Sequence, residues 1–175
     1  LHIEAIHEES GYVGTRIRLD ARLDKVRQVV QIDFGVGDAV FPQPRMIDYP
    51  VLLGGSPLKL TAYPGEATIA EKSQAMVQLD LKNSRMKDFY DIWTLSRALQ
   101  FDGQDLSGAI RATFERRATP IPTVSPPPLT ERFFADPAHV RQWDAFGRRI
   151  EEPALSGQLP AVSAGIEEFL MLPSR

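Results

Sequence analysis

The chain contains no cysteine, which excludes a disulfide framework, a thiolate metal site and a cysteine nucleophile, and agrees with a cytosolic protein. Histidine is nearly as scarce: His2, His7 and His139 stand far apart with no ligand spacing, so a zinc centre has no obvious donors. No apolar run approaches the roughly 20 residues of a membrane-spanning helix. The N-terminus Leu1-His2-Ile3-Glu4 lacks the basic and apolar regions of a signal peptide. No strong charge of one sign is present either, since 20 Lys+Arg face 23 Asp+Glu. Any nucleic-acid partner would therefore need a local basic patch. Gly-x-Ser-x-Gly is absent. Gly35-Val36-Gly37-Asp38 is not followed by Gly-Lys-Ser/Thr and lacks the third glycine of a dinucleotide fingerprint, so it reads as a turn.

What is present is an ordinary globular composition, 43% hydrophobic and 25% charged over 175 residues. The first part reads as β-rich. Ile3 to Ile6, Tyr12 to Leu23 and Val26 to Phe34 carry period-two or continuous apolar patterns bounded by Ser10-Gly11 and Asp24-Lys25. Pro42, Pro44 and Pro50 then punctuate an irregular stretch before two expected edge strands, Val51-Leu52-Leu53 and Leu58 to Ala62.

From Tyr63-Pro64-Gly65-Glu66 the period becomes helical, with Ile69, Lys72, Met76 and Leu79 in step. Asn83-Ser84 is an expected N-cap pair for a second helix from about Arg85 to Leu99. A third is expected from Leu106 to Arg117 with Asp105 as its cap. Thr119-Pro120-Ile121-Pro122 and Ser125-Pro126-Pro127-Pro128 read as a stiff linker, followed by helices from Ala138 to Ile150 and from Pro160 to Leu170. The implied class is α+β, a mixed β-sheet followed by a helical C-terminal bundle. Its expected parts are 1–62 (β-rich), 63–118 (helical) and 119–175 (proline linker and closing helices).

Two places break the rule that charge avoids apolar faces. At about 100° per residue Lys72 falls inside the stripe of Ile69, Met76 and Leu79. On the second helix Asp88 and Asp91 share a side with Ser84 and Leu95, opposite Met86, Phe89 and Trp93, so both carboxylates are expected to be partly buried. Lys72 then either forms a structural ion pair with Asp88 or Asp91, or acts as a phosphate-binding cation or general acid positioned by an aspartate. Spacing does not separate the two. Asp33, at the end of an apolar strand, is a candidate metal ligand or a cap for the following turn. Arg111, Arg116 and Arg117 with Lys82, Arg85 and Lys87 are either a basic rim for phosphates or a solvated helix face.

Three blocks carry a resemblance: Gln31 to Asp38, Tyr63 to Lys72, and Asn83-Ser84-Arg85-Met86-Lys87-Asp88-Phe89-Tyr90-Asp91. Together they resemble the AbiEii/AbiGii toxin family of nucleotidyltransferase-like proteins. The resemblance implies a polymerase-β-like core and a toxin of a toxin–antitoxin or abortive-infection system, cytoplasmic, moving a nucleotide from an NTP to an acceptor such as tRNA. It implies Mg²⁺ as cofactor and a cognate antitoxin as partner. By position it makes Lys72 and Asp88 the catalytic residues, with Arg85 and Asp91 on the substrate. The family's earlier motifs, a Gly-Gly/Ser turn and two carboxylates two apart on a strand, are not found. Glu8-Glu9 are adjacent, and Asp20 and Asp24 are four apart. Two-metal chemistry needs clustered carboxylates, so the expectation is a C-terminal portion that is inactive alone, which the start at Leu1 favours over a degenerate relative. The alternative is a non-catalytic domain binding nucleotide, RNA or antitoxin.

Overall fold

Alternating patterns bring the first three strands together as an antiparallel sheet of β1 (His2–His7), β2 (Val13–Leu23) and β3 (Val26–Gly35), in that order. The structure, a computed structural model, describes residues 1–7, 13–35, 37, 39–52 and 54–171. Ser10-Gly11, Tyr12, Val36, Asp38 and Leu53, to which the sequence reading assigned turns or strand ends, lie outside the described residues. The two-residue turn Asp24-Lys25 joins β2 to β3, with Asp24 at φ 52°, a conformation that aspartate tolerates better than most residues.

The register pairs Ile3 with Ile17, Ile17 with Ile32 and Leu19 with Val30, so these side chains share one face. Glu4, Arg16 and Asp33 align on the other. There Arg16 reaches Asp33 and, at 3.9 Å, Glu4, while Arg18 lies 3.4 Å from Glu4. Parity thus puts most of the charge on one face, with Val29 opposite Asp20 the exception there.

Cα proximity divides the chain into two compact units, Leu1–Asp38 and Ala39–Arg175. The second opens with a hairpin of β4 (Arg45–Tyr49) and β5 (Leu58–Ala62). Val51 and Leu52, expected as an edge strand, are instead loop, and β4 forms from the five residues between Pro44 and Pro50. Those five are free of proline and can donate to a ladder, whereas Gly54 and Gly55, at φ 79° and 116°, bend the chain just beyond Leu52.

The helices of this unit are α1 (Gly65–Leu79), α2 (Met86–Ala98), α3 (Gly103–Arg116), α4 (Glu131–Phe134), α5 (Pro137–Arg149) and α6 (Leu159–Met171). Two starts differ from expectation. Asn83, almost fully buried, uses Oδ1 to accept from the Arg85 N–H at 2.8 Å. It closes a side-chain turn ahead of α2 rather than capping it, and no side chain caps the helix. α3 starts three residues early because Asp102, not Asp105, is its cap, accepting from the N–H groups of Gln104 (2.8 Å) and Asp105 (3.1 Å). Asp136 caps α5 in the same way, with Pro137 at its first position.

α1 packs on α3 and α2, and α2 on α5 and α6. Ile69 and Met76 of α1 meet Phe89 and Ile92 of α2, Phe133 of α4, Trp143 of α5 and Ile166 of α6 in one buried cluster. Phe89 stacks on Phe133 with centroids 5.2 Å apart. The proline-rich stretch joins this core: Pro127–Leu129 is a 3-10 turn with Pro128 and Leu129 buried.

Trp143 is fully buried, and its indole N–H donates to the Leu155 carbonyl at 2.7 Å. Trp143→Ala removes both the largest core side chain and a satisfied polar pair. It should lower the unfolding free energy by about 3–5 kcal/mol, against about 0.5 kcal/mol or less for the exposed Arg141→Ala, measured by urea denaturation.

Candidate functional site

The link between α1 and α2 is short, a 3-10 turn over Asp80–Lys82 followed by Asn83-Ser84-Arg85. Two helices so joined run close together, and the polar positions on their facing sides must find one another. Asp88 and Asp91 are three apart on α2 and so point the same way. Lys72 reaches from α1 between them, with Nζ 2.7 Å from Asp88 Oδ1 and 2.8 Å from Asp91 Oδ2. Lys87 adds a second ammonium on Asp91 Oδ2 from within α2.

All three central side chains are largely covered: Lys72 retains 19% exposure, Asp88 13% and Asp91 19%. Burial alone would push the Lys72 ammonium towards neutrality, but the bonds it donates to Asp88 and Asp91, with their charges, outweigh this and raise its pKa above that of an ordinary lysine. Burial likewise pushes Asp91 up, and the bonds from Lys72 and Lys87 overcome it, leaving the carboxyl below the usual range. Lys72 is therefore a fixed cation at neutral pH. It does not readily give up its proton.

Asp88 also lines a groove of about 600 Å³, with Arg85 and Lys87 from the start of α2 facing Gln142, Phe146 and Arg149 of α5. Thus the structure brings Lys72, Asp88 and Asp91 into direct contact and places Arg85 on the adjoining groove.

Asp33 belongs to the other compact unit. Its carboxylate is gripped by Arg16, Nε to Oδ1 at 2.8 Å and Nη2 to Oδ2 at 2.9 Å, and it also accepts from Gln31 at 3.1 Å. The Arg16 bond holds its pKa below the usual range against a smaller desolvation effect. A carboxylate with both oxygens engaged by a guanidinium is an ion-pair partner rather than a ready metal ligand. Nor do Asp88 and Asp91, each held by an ammonium, make a cage. Among the described residues no group of three or more His, Asp or Glu side chains is disposed to hold a metal ion. Glu8 and Glu9 lie outside them. The described residues do not fit the Mg²⁺ site that the resemblance implies.

Sequence reasoning missed a second polar cluster on α1. Tyr63 donates to Glu71, and Arg117 donates to Gln74 Oε1 at 2.9 Å while its other nitrogen lies 3.9 Å from Glu71. Gln74 is fully buried and donates in turn to Thr119 Oγ1 at 2.8 Å. Arg117 is thereby taken up in anchoring α3 to α1, and Arg149, which pattern did not single out, lines the groove instead. The only signal for Arg149 is its place beside Arg148 in the last turn of α5.

The AbiEii family, described as nucleotidyl transferase AbiEii toxin, Type IV TA (toxin–antitoxin) system, matches residues 2–168. No curated protein and no solved structure gives a significant match. None of the helices described is long and apolar enough to cross a membrane.

The two pKa shifts fix how the cluster's stability depends on pH. Asp91, lowered on folding, stabilises above the ordinary aspartate value of about 3.9 and loses this as pH falls through its folded value. Lys72, raised on folding, stabilises below about 10.4 and loses this as pH rises through its folded value. Lys72→Met strands Asp88 and should cost about 1–3 kcal/mol at neutral pH, less than a fully buried pair would. Denaturation of wild type and Lys72→Met should show that gap constant from about pH 5 to 9 and shrinking towards both extremes.

Proposed function

Because the chain belongs to the AbiEii family of nucleotidyl transferase toxins, we propose that Lys72 is the cation on which the phosphates of a nucleoside triphosphate are received. Asp88 fixes its ammonium, Arg85 supplies a second positive charge, and Asp91 completes the substrate side. The observation that carries this reading is the clasp of one lysine by two aspartates, 2.7 and 2.8 Å away, one of which, Asp88, lines an open groove. A lysine so held cannot swing to solvent, so its charge is already aimed when substrate arrives.

In nucleotidyl transfer a hydroxyl oxygen of the acceptor forms a bond to the α-phosphorus, the bond from that phosphorus to the leaving pyrophosphate breaks, and the hydroxyl proton passes to solvent. Negative charge grows on the pyrophosphate as the bond lengthens. A preset ammonium there is worth more in the transition state than in the ground state, which is the condition for raising the rate. Lys72 acts through charge and not proton donation, since its raised pKa keeps the proton on nitrogen. The acceptor is an RNA such as tRNA, and the cognate antitoxin would silence the site. Mg²⁺ is the metal expected of such chemistry, and no step here is routed through it.

One observation favours a second reading, a non-catalytic domain that binds nucleotide, RNA or antitoxin: the described residues offer no cluster of free carboxylates. The two readings part on transfer. In the full-length gene product, assayed with labelled NTP and RNA where every variant is folded, Lys72→Ala should lower the rate by about 10²–10³-fold. Lys72→Arg should recover a small part of it, because a planar guanidinium does not reproduce a point charge. Full activity in Lys72→Ala with a lowered melting midpoint would make Lys72 structural. An acceptor that wild type never modifies would favour the binding domain.

A further inference from the structure

α1 and α3, with the proline-rich stretch and the end of α6, enclose a second cavity of about 80 Å³. Ser73, Met76 and Val77 of α1 face Ile110 and Phe114 of α3 across it. Among the described residues, none of α2 lines it, so it is separate from Lys72 and the two aspartates. Ile121 and Met171 at its border are 49% and 37% exposed, which leaves a path from solvent.

Ser73 is out of keeping with this lining. It is only 5% exposed, and its hydroxyl has no hydrogen-bond partner among the described residues. A serine inside a helix can return its hydroxyl to the carbonyl four residues back. Ser73 does not, and a buried hydroxyl left unmet is costly. Every other described residue on the lining is aliphatic, aromatic, proline or methionine. A buried water is held by two to four polar partners, and the side chains of this cavity offer one. The hydroxyl therefore calls for a partner that is apolar everywhere except at a single atom.

We propose that this cavity is a binding site for a small neutral molecule, an aliphatic body of about three or four heavy atoms carrying one hydroxyl or carbonyl that pairs with Ser73. Volume sets the size: an apolar cavity of about 150 Å³ takes benzene, and this one has about half that room. Charge sets the class. Among the described residues no Asp, Glu, Lys or Arg lines the cavity, so an ion entering it would lose its hydration without a counter-charge. The serine hydroxyl can donate or accept, so an alcohol and a ketone both answer it. The bound molecule would bridge α1, α3 and the proline-rich stretch through Met76, Ile110 and Leu129. The site does not depend on the transferase reading, since no member of the Lys72 cluster takes part.

The test is titration of the 175-residue chain with 2-propanol, and separately with xenon, followed by methyl resonances in nuclear magnetic resonance. With 2-propanol the methyl signals of Met76, Ile110 and Leu129 should shift and saturate at roughly millimolar concentration, the affinity open to so small a ligand. Ser73→Ala should weaken 2-propanol by about three- to tenfold, the value of one neutral hydrogen bond, and leave xenon binding no weaker. Val77→Phe, which places a ring at the cavity, should abolish the response to both. Ser73→Ala removes a single atom and keeps the test decisive if the larger side chain disturbs folding. Shifts that grow without saturating and spread to exposed methyls such as those of Leu23 and Leu52 would reveal a solvent effect and overturn the site. Equal affinity for 2-propanol in wild type and Ser73→Ala would overturn it too, as would binding of xenon alone, which would make the cavity a packing void only.

Discussion

A lysine side chain that keeps only 19% exposure has lost hydration that the protein must compensate. Lys72 is compensated twice over, by Asp88 and Asp91. This clasp ties the other features of the second unit together. It locks α1 to α2 at a set angle and rotation. It neutralises two carboxylates that would otherwise repel each other on one side of α2, and Lys87 supplies the charge still owed to Asp91. Such a cluster gives little net stability when measured against an apolar replacement, since desolvation offsets attraction. Its value lies in geometry: one cation in one place, protonated across the physiological range.

The rest of the helical unit fixes that geometry. The short connection through Asp80–Lys82 and the Asn83 side-chain turn leave α2 little freedom to slide along α1. Phe89, one residue on from Asp88, is driven into the core against Phe133, which turns Asp88 back towards α1. α5 is held at the other end by Trp143 and its bond to Leu155. The same ring system that anchors α5, through Trp143 and Phe146, sets Arg149 over the groove. Core packing and the charge layout of the groove are thus one construction.

Much of this was legible in the residues. Helical phase alone placed Lys72 inside an apolar stripe and put Asp88 and Asp91 on a common side, and the short stretch from Asp80 to Ser84 implied adjacent helices. Parity foretold the three-stranded sheet. Less was legible where two local solutions compete. Asp102 and Asp105 are equally good caps by residue type, and Asp102 takes the role by accepting from the N–H groups of Gln104 and Asp105. Asn83 is a cap by type, yet its burial commits it to a turn. Asp33 reads as a metal ligand or a turn cap at a strand end, because cross-strand register, which sets Arg16 opposite it, is not visible in either strand alone. Arg149 was illegible for a similar reason: its meaning comes from Phe146 and from α2 across the groove.

The central claim is that Lys72 is a permanently charged group, held by two aspartates and met by phosphate. Nuclear magnetic resonance of the lysine side-chain amines, with Lys72 assigned through Lys72→Arg, tests it directly. The account predicts a slowly exchanging, protonated Lys72 signal at neutral pH that shifts in Asp88→Asn and in Asp91→Asn, and moves on addition of a nucleoside triphosphate. A Lys72 signal that behaves like those of exposed lysines and ignores the triphosphate would contradict it.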